Sequence, residues 1–148
     1  MTTITIRPLV RADHAEWRRL WTAYLAFYET SVSEEVYAST WQRLLDEGKY
    51  EPNGLIAEVD GKAVGLVHYI FHRTCWAVGD NCYLQDLYAD PEARGTGVGR
   101  ALIEAVYRKA DEAGAANVYW LTQHFNETAR KLYDRIAKLT PFIKYQRN

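Results

Sequence analysis

The chain has 148 residues, 48% of them hydrophobic, with 18 basic against 19 acidic side chains and a formal net charge of -1. That length and apolar content suit one domain around one sizeable core, and the balanced charge, with no long run of either sign, supplies no basic face for nucleic acid. Residues Met1 to Thr5 lack the basic and apolar regions of a signal peptide, and no apolar run is long enough for a bilayer, so the expectation is a cytoplasmic protein without membrane contact. Cys75 and Cys82 are too few for a disulfide framework and are expected as free thiols.

The first element is a strand over Thr3 to Pro8, followed by Asp13-x-x-Glu16, which resembles a capping box. Trp17, Leu20, Trp21, Tyr24, Leu25 and Tyr28 then repeat at helical spacing. Val36, Tyr37, Thr40, Trp41, Leu44 and Leu45 predict a second helix, starting after Ser33 and ending near Gly48. The aromatic stripe on these two helices reads first as core packing. After Gly54 the period changes to that of strands: Leu55 to Val59 and Ala63 to Phe71 flank Asp60-Gly61, a hairpin signal. Cys82 to Ala89 is a further strand. Ala101, Leu102, Ala105, Val106 and Lys109 hold helical spacing up to Gly114, a helix-terminating residue. Val118 to Thr122 reads as a buried strand, Asn126 as an N-cap, and Ala129, Leu132, Tyr133 and Ile136 as one helical face. Phe142 to Gln146 is strand-like. The order predicts an α/β domain with a mixed sheet, covering residues 1–148.

Between the strand ending at Ala89 and the helix opening near Val98 lies Arg94-Gly95-Thr96-Gly97-Val98-Gly99-Arg100. A strand, a glycine-rich turn and a helix together present unpaired backbone N–H groups to an anion, which points to a phosphate-bearing ligand. A Walker loop needs Gly-Lys-Ser/Thr, but Gly99 is followed by Arg100-Ala101. A dinucleotide fingerprint needs a third glycine where this chain has Arg100. What remains is Arg-x-x-Gly-x-Gly.

This pattern resembles the coenzyme A pyrophosphate loop of the GNAT N-acetyltransferase superfamily, and the order of elements resembles the GNAT fold over nearly the whole chain, most specifically from Tyr83 to Tyr133. The resemblance implies a central mixed sheet flanked by helices, in which a strand positioned like Leu84 to Ala89 splays from one positioned like Val118 to Thr122. It implies that the backbones of Leu87, Tyr88 and Ala89 meet the pantetheine arm as an added strand would. It likewise implies that Gly95 to Arg100 meet the pyrophosphate. Asn126 and Tyr133 match the family's Asn and Tyr, the first a cofactor contact and the second aimed at the sulfur.

Acetyl transfer to an amine needs a neutral nucleophile, and an alkylammonium with a pKa of about 10.4 offers only about one molecule in 2,500 at pH 7. A proton acceptor is required, and the leaving thiolate requires a donor. A phenol suits the second role, and Tyr133 is the candidate acid. The polyamine and amino-sugar acetyltransferases that this segment resembles usually carry Glu-Asp where this chain has Gln85-Asp86. An amide does not titrate, so Gln85 can only orient a water. Asp86 is a carboxylate next to it, yet neighbouring strand residues face opposite ways unless a bulge intervenes. Glu29 and His72 are further candidates. The acceptor is therefore Asp86, a water held by Gln85, Glu29 or His72.

On a strand, His68 and His72 lie about 13 Å apart, too far to share an ion, and no metal is expected. With Tyr24, Tyr28 and Trp76, His72 is read as shaping an acceptor pocket in which aromatic faces attract an ammonium and Glu29 supplies countercharge. The whole is expected to be an N-acetyltransferase carrying the acetyl group of acetyl coenzyme A to a small polyamine-like or lysine-type amine, by direct attack in a ternary complex. It resembles the polyamine and histone-type branch, where homodimers are common, and the segment from Phe142 to Tyr145 is a candidate for pairing between subunits. The competing reading is a coenzyme A sensor of the same fold without turnover.

Overall fold

The computed structural model describes residues 3–147; Met1 and Thr2, part of the segment compared with a signal peptide, lie outside the described residues. The elements are β1 (Ile4–Pro8), α1 (His14–Phe27), α2 (Glu34–Leu44), β2 (Asn53–Val59), β3 (Lys62–His72), β4 (Asn81–Ala89), α3 (Val98–Glu112), β5 (Asn117–Tyr119) and α4 (Glu127–Ile136). The strands form one five-stranded sheet in the order β1-β2-β3-β4-β5. The pairs from β1 to β4 are antiparallel and β4-β5 is parallel, which makes the sheet mixed as expected.

Local chemistry explains the elements. The β2-β3 turn places Asp60 at φ 53° and Gly61 at φ 76°, the left-handed pair that a two-residue hairpin requires. Ser33 caps α2, its Oγ accepting from the Val36 N–H at 3.3 Å. Asp13 departs from the sequence reading. Its carboxylate does not close a box on α1 but accepts from the Val10 N–H at 2.8 Å and from both Arg7 terminal nitrogens at 2.8 Å. A bidentate guanidinium and a preceding short helical turn outcompete the cap, so Asp13 ties α1 to β1 instead.

The two faces of the sheet carry separate cores. Leu55, Val67, Tyr69, Cys82 and Leu84 pack with Val98, Leu102, Ile103 and Val106 of α3 on one face. Ile56, Leu66 and Tyr88 pack with Trp17, Leu20, Trp21 and Leu25 of α1 and Tyr37 and Leu44 of α2 on the other. At Gly65 a Cβ would stand 2.8 Å from the Tyr88 carbonyl oxygen and 2.9 Å from Val98 Cγ1, so the missing side chain lets α3 press against β3 and β4.

Two expected strands are altered. The one placed at Val118 to Thr122 is only Asn117–Tyr119, and the one placed at Phe142 to Gln146 does not form: residues 137–147 run without helix or strand and are exposed. A strand needs a partner for its backbone groups, and among the described residues no strand pairs with that tail.

Candidate active site

The site grows from one irregularity in β4. His68 pairs with Asp86 and Tyr69 with Leu84, so Gln85 is an extra residue, a β-bulge on β4. Residues two apart on a regular strand share a face; the bulge breaks this. Leu84 packs toward α3, whereas Asp86 faces α1, where it meets the Trp21 indole and the His68 imidazole. The side chain of Gln85 is exposed.

Asp86 is buried, and its Oδ2 accepts from the Trp21 Nε1–H at 3.2 Å. The same oxygen lies 2.8 Å from Nδ1 of His68, which is also buried. Trp17, fully buried, donates its Nε1–H to His68 Nε2 at 3.0 Å. Indole nitrogen can only donate, so Nε2 must be the accepting nitrogen and Nδ1 carries the proton given to Asp86. His68 is thereby a neutral imidazole of defined tautomer. Sequence reasoning had weighed it only as a metal ligand; the missed signal was period two, which puts His68 and Leu66 on the same face as α1.

Tyr24 and Tyr28, whose rings lie 5.1 Å apart, form the adjoining wall. The Tyr24 hydroxyl lies 3.5 Å from the Gln85 carbonyl oxygen. Burial, then the charge of Asp86 and hydrogen bonding to it, push the Tyr24 phenol well above its ordinary range; burial and the same charge raise Tyr28. Tyr83 is raised chiefly by burial and then by Tyr119 and Asp86, and it stacks on Tyr119 with centroids 5.0 Å apart. His72 accepts at Nε2 from the Tyr119 hydroxyl at 2.8 Å and donates from Nδ1 to the Arg73 carbonyl at 2.7 Å, which engages both nitrogens. Glu29 and Trp76 stand apart from this cluster: Glu29 is exposed after α1 with φ 57°, and Trp76, 89% exposed, borders a groove of about 1240 Å³ beside Tyr119 and Tyr133.

The opposite edge of β4 is open. Pairing with β5 stops after Asn81, Cys82 and Tyr83, so among the described residues the edge from Leu84 to Ala89 has no strand on that side. Leu87, Tyr88 and Ala89 end this edge, and the glycine loop follows. Gly95 and Gly97 have φ of 82° and 94°, values that side chains rarely tolerate. Arg94 reaches back from the loop, its Nε donating to the Ala89 carbonyl at 3.1 Å, and the Thr96 hydroxyl donates to the Ala93 carbonyl. The chain then enters α3 from Gly97 without a side-chain cap, leaving the N–H groups of Val98, Gly99 and Arg100 outside the helical hydrogen-bond ladder, beside that loop. This is an anion cradle of backbone donors.

Across the gap, Asn126 caps α4, its Oδ1 3.5 Å from the Ala129 N–H. Tyr133 lies on α4 with its ring 5.3 Å from that of Trp120, and burial pushes its phenol up to about 12, with a smaller contribution from Tyr28. Thr122, just past the end of β5, has a buried Oγ1 without a hydrogen-bond partner, and the sequence had not singled it out. Burial also pushes the Cys82 thiol up to about 12, while Cys75 is exposed.

A splayed parallel pair, a bulge that turns a carboxylate inward and an uncapped helix behind a glycine loop are one assembly. Residues 16–137 match the Acetyltransferase (GNAT) family. The chain belongs to that family. As a GNAT protein it is an acetyl coenzyme A-dependent N-acetyltransferase, and its sheet and helices are those of the GNAT fold. It is 38% identical over 146 residues to D-amino-acid N-acetyltransferase HPA3 of Saccharomyces cerevisiae (98% of this chain, 91% of that one). It is 28% identical over 133 residues to thialysine N-epsilon-acetyltransferase of Caenorhabditis elegans (90% and 79%). The solved structure of aminoglycoside N-acetyltransferase AAC(6')-Iy in complex with CoA is similar with a TM-score of 0.84 at 19% identity, covering 100% of this chain and 96% of that one.

Proposed function

We propose that this GNAT protein transfers the acetyl group of acetyl coenzyme A to a small primary amine, polyamine-like or lysine-type, by direct attack in a ternary complex. The observation that carries the reading is the bulge at Gln85, which sets Asp86 toward Tyr24 and Tyr28 beside the open edge of β4. The backbones of Leu87 to Ala89 pair with the pantetheine amides, as the unpaired edge supports. The N–H groups from Gly95 to Arg100 hold the pyrophosphate, with Arg94 keeping the loop in shape and Asn126 contacting the cofactor. The buried, unpartnered Thr122 Oγ1 supplies a further polar contact on the facing side.

Asp86 takes the ammonium proton, and Gln85 orients a water near the same edge. We rank His72 below Asp86, because its Nδ1 donates to the Arg73 carbonyl and its Nε2 is held by the Tyr119 hydroxyl. The amine nitrogen attacks the thioester carbonyl, the C–N bond forms, and the C–S bond breaks toward Tyr133. A phenol near 12 stands about three to four units above a thiol near 8.5, so Tyr133 serves first as a hydrogen-bond donor to the sulfur and its proton follows as charge develops. A covalent acetyl-cysteine route is disfavoured, because Cys82 is held as a buried thiol and Cys75 lies in the exposed β3-β4 loop.

The acceptor end is aromatic and negative: Tyr24, Tyr28 and Tyr83 around Asp86, with the exposed Glu29 next in sequence to Tyr28, favour a cationic amine. A relative named for thialysine supports a lysine-type chain, and one named for D-amino acids brings α-amines into the comparison. The test is initial-rate kinetics of thiol release over a panel of diamines, lysine-type amines and D-amino acids. Intersecting double-reciprocal lines with a diamine or lysine-type acceptor are expected; parallel lines, the signature of a covalent intermediate, contradict direct attack.

We also infer a cytoplasmic homodimer. β5 ends the sheet with a free edge, and the tail exposes Leu139, Phe142, Ile143 and Tyr145 at 70%, 77%, 76% and 90%. A second copy's tail along that edge covers both.

A further inference from the structure

The buried polar chain behind Asp86 exceeds what packing requires. Four side chains, Trp17, His68, Asp86 and Trp21, are joined by hydrogen bonds of 3.0, 2.8 and 3.2 Å inside an otherwise apolar core. Burying a carboxylate is costly unless its oxygens are satisfied, and an aliphatic replacement for the whole set would pack without that cost. The Trp17 N–H fixes which nitrogen of His68 faces Asp86. Because Nε2 is occupied by a donor that cannot lose its proton, His68 cannot accept a proton there while the Trp17 bond holds.

We propose that His68, oriented by Trp17, is a positioning residue that holds Asp86 as the single proton acceptor of the site, and that the Tyr24 hydroxyl relays the acceptor amine's proton to it. This rests on the reading of Asp86 given above. The ammonium passes a proton to the Tyr24 oxygen as the Tyr24 hydroxyl proton moves to the Asp86 carboxylate. The products are a neutral amine, an unchanged phenol and a carboxylic acid. The amine then attacks the thioester, its second proton leaves with the thiolate through Tyr133, and Asp86 returns the first proton to solvent by the same hydroxyl. The position of Tyr24 fits a relay: its hydroxyl lies 3.5 Å from the carbonyl of Gln85, the residue before Asp86, and burial, then the charge of Asp86 and hydrogen bonding to it, keep it a phenol that can hand on one proton as it receives another. The titratable groups facing Asp86 are His68 from β3, Tyr24 and Tyr28 from α1 and its end, and Tyr83 from β4. None of these carries a positive charge in this arrangement, so the Nδ1–H of His68 and the Trp21 N–H are what stabilise the anion.

The experiment compares kcat/KM against pH for His68→Asn and His68→Leu. Asparagine keeps a donor near the Nδ1 position but cannot accept a proton; leucine removes the donor. The expected result is an acid limb that stays in place in H68N and moves up by about one pH unit in H68L, the displacement that loss of one hydrogen bond to a charged group produces. Equal losses in both variants with an unmoved limb overturn the proposal, because they make His68 either the terminal acceptor or mere packing. If H68L does not fold, Tyr24→Phe on the half-buried wall decides. Its rate deficit, about 10- to 100-fold at pH 7, is expected to shrink as pH approaches that at which the amine is already neutral. A deficit independent of pH overturns the relay. Failure of the underlying reading shows separately: Asp86→Asn with undiminished kcat removes Asp86 as acceptor, whatever the His68 variants do.

Discussion

Gln85 is a single extra residue, and it changes the chemistry on both sides of β4. A regular strand would have aimed Asp86 at α3, into the apolar core with Leu84; the bulge aims it at α1 instead. The sequence contained the acid but not its direction, since a bulge follows from the register of two strands and not from the residue that forms it. A second residue-scale feature sits at the end of α1. The Glu29 N–H bonds to Ala26 and the Thr30 N–H to Leu25, a left-handed helix ending in which glycine is the usual occupant. At φ 57° Glu29, the residue after Tyr28, holds a conformation costly for a side chain, and its proposed role is to supply countercharge to an arriving ammonium. Glu29→Gly is expected to raise unfolding stability by about 0.5–1 kcal/mol in urea titration while raising KM for a cationic amine. A lower KM, or no gain in stability, goes against this account.

Among the elements, the junction of β1 with α1 depends on one ion cluster. Arg7 grips Asp13 at 2.8 Å and Glu58 at 2.9 Å, and it holds the Asp13 carboxyl below the usual carboxylate range. A group depressed in the folded state contributes stability that is complete above its unfolded pKa, about 3.9, and is lost as pH falls through the lower folded value. Asp13→Asn is therefore expected to cost about 1–3 kcal/mol at pH 7 and to flatten the acid loss of stability below about pH 4. Thermal melts across pH check both parts. The helices and the β2-β3 hairpin were legible in the residues because each carries its own signal: period 3.6 in α1 and α3, Ser33 as a cap, Asp60-Gly61 as a turn. The length of β5 was not, because Trp120 to Thr122 are as strand-like as Val118 and leave the sheet only through the divergence of β4 and β5. The tail failed as a strand for the related reason that alternation specifies a face but supplies no neighbour.

At the scale of the molecule, the proposed site draws on residues far apart in the chain, carried by two helical layers and a splayed sheet: Tyr24 and Tyr28 from α1 and its end, Asp86 from β4, the loop before α3, and Tyr133 from α4. None of the residues of α4 is fully buried, and its docking rests on Leu132, Tyr133 and Ile136 together with the Tyr107 hydroxyl, which donates to the Ile136 carbonyl at 2.9 Å. A second copy's tail against β5 would brace the same region. Light scattering coupled to size exclusion is expected to give twice the 17.1 kDa chain mass, and Phe142→Asp with Ile143→Asp to give the monomer. A wild-type monomer at micromolar concentration contradicts the dimer. The gap itself is the central claim, with cofactor on the open edge of β4 and Tyr133 at its sulfur. The most direct measurement is of Tyr133→Phe, with acetyl coenzyme A affinity by calorimetry beside the rate of amine-dependent thiol release. The account predicts a dissociation constant within about threefold of wild type and a kcat lower by about 100-fold or more, the range for loss of a positioned acid. An unchanged kcat, or a loss confined to cofactor affinity, contradicts it.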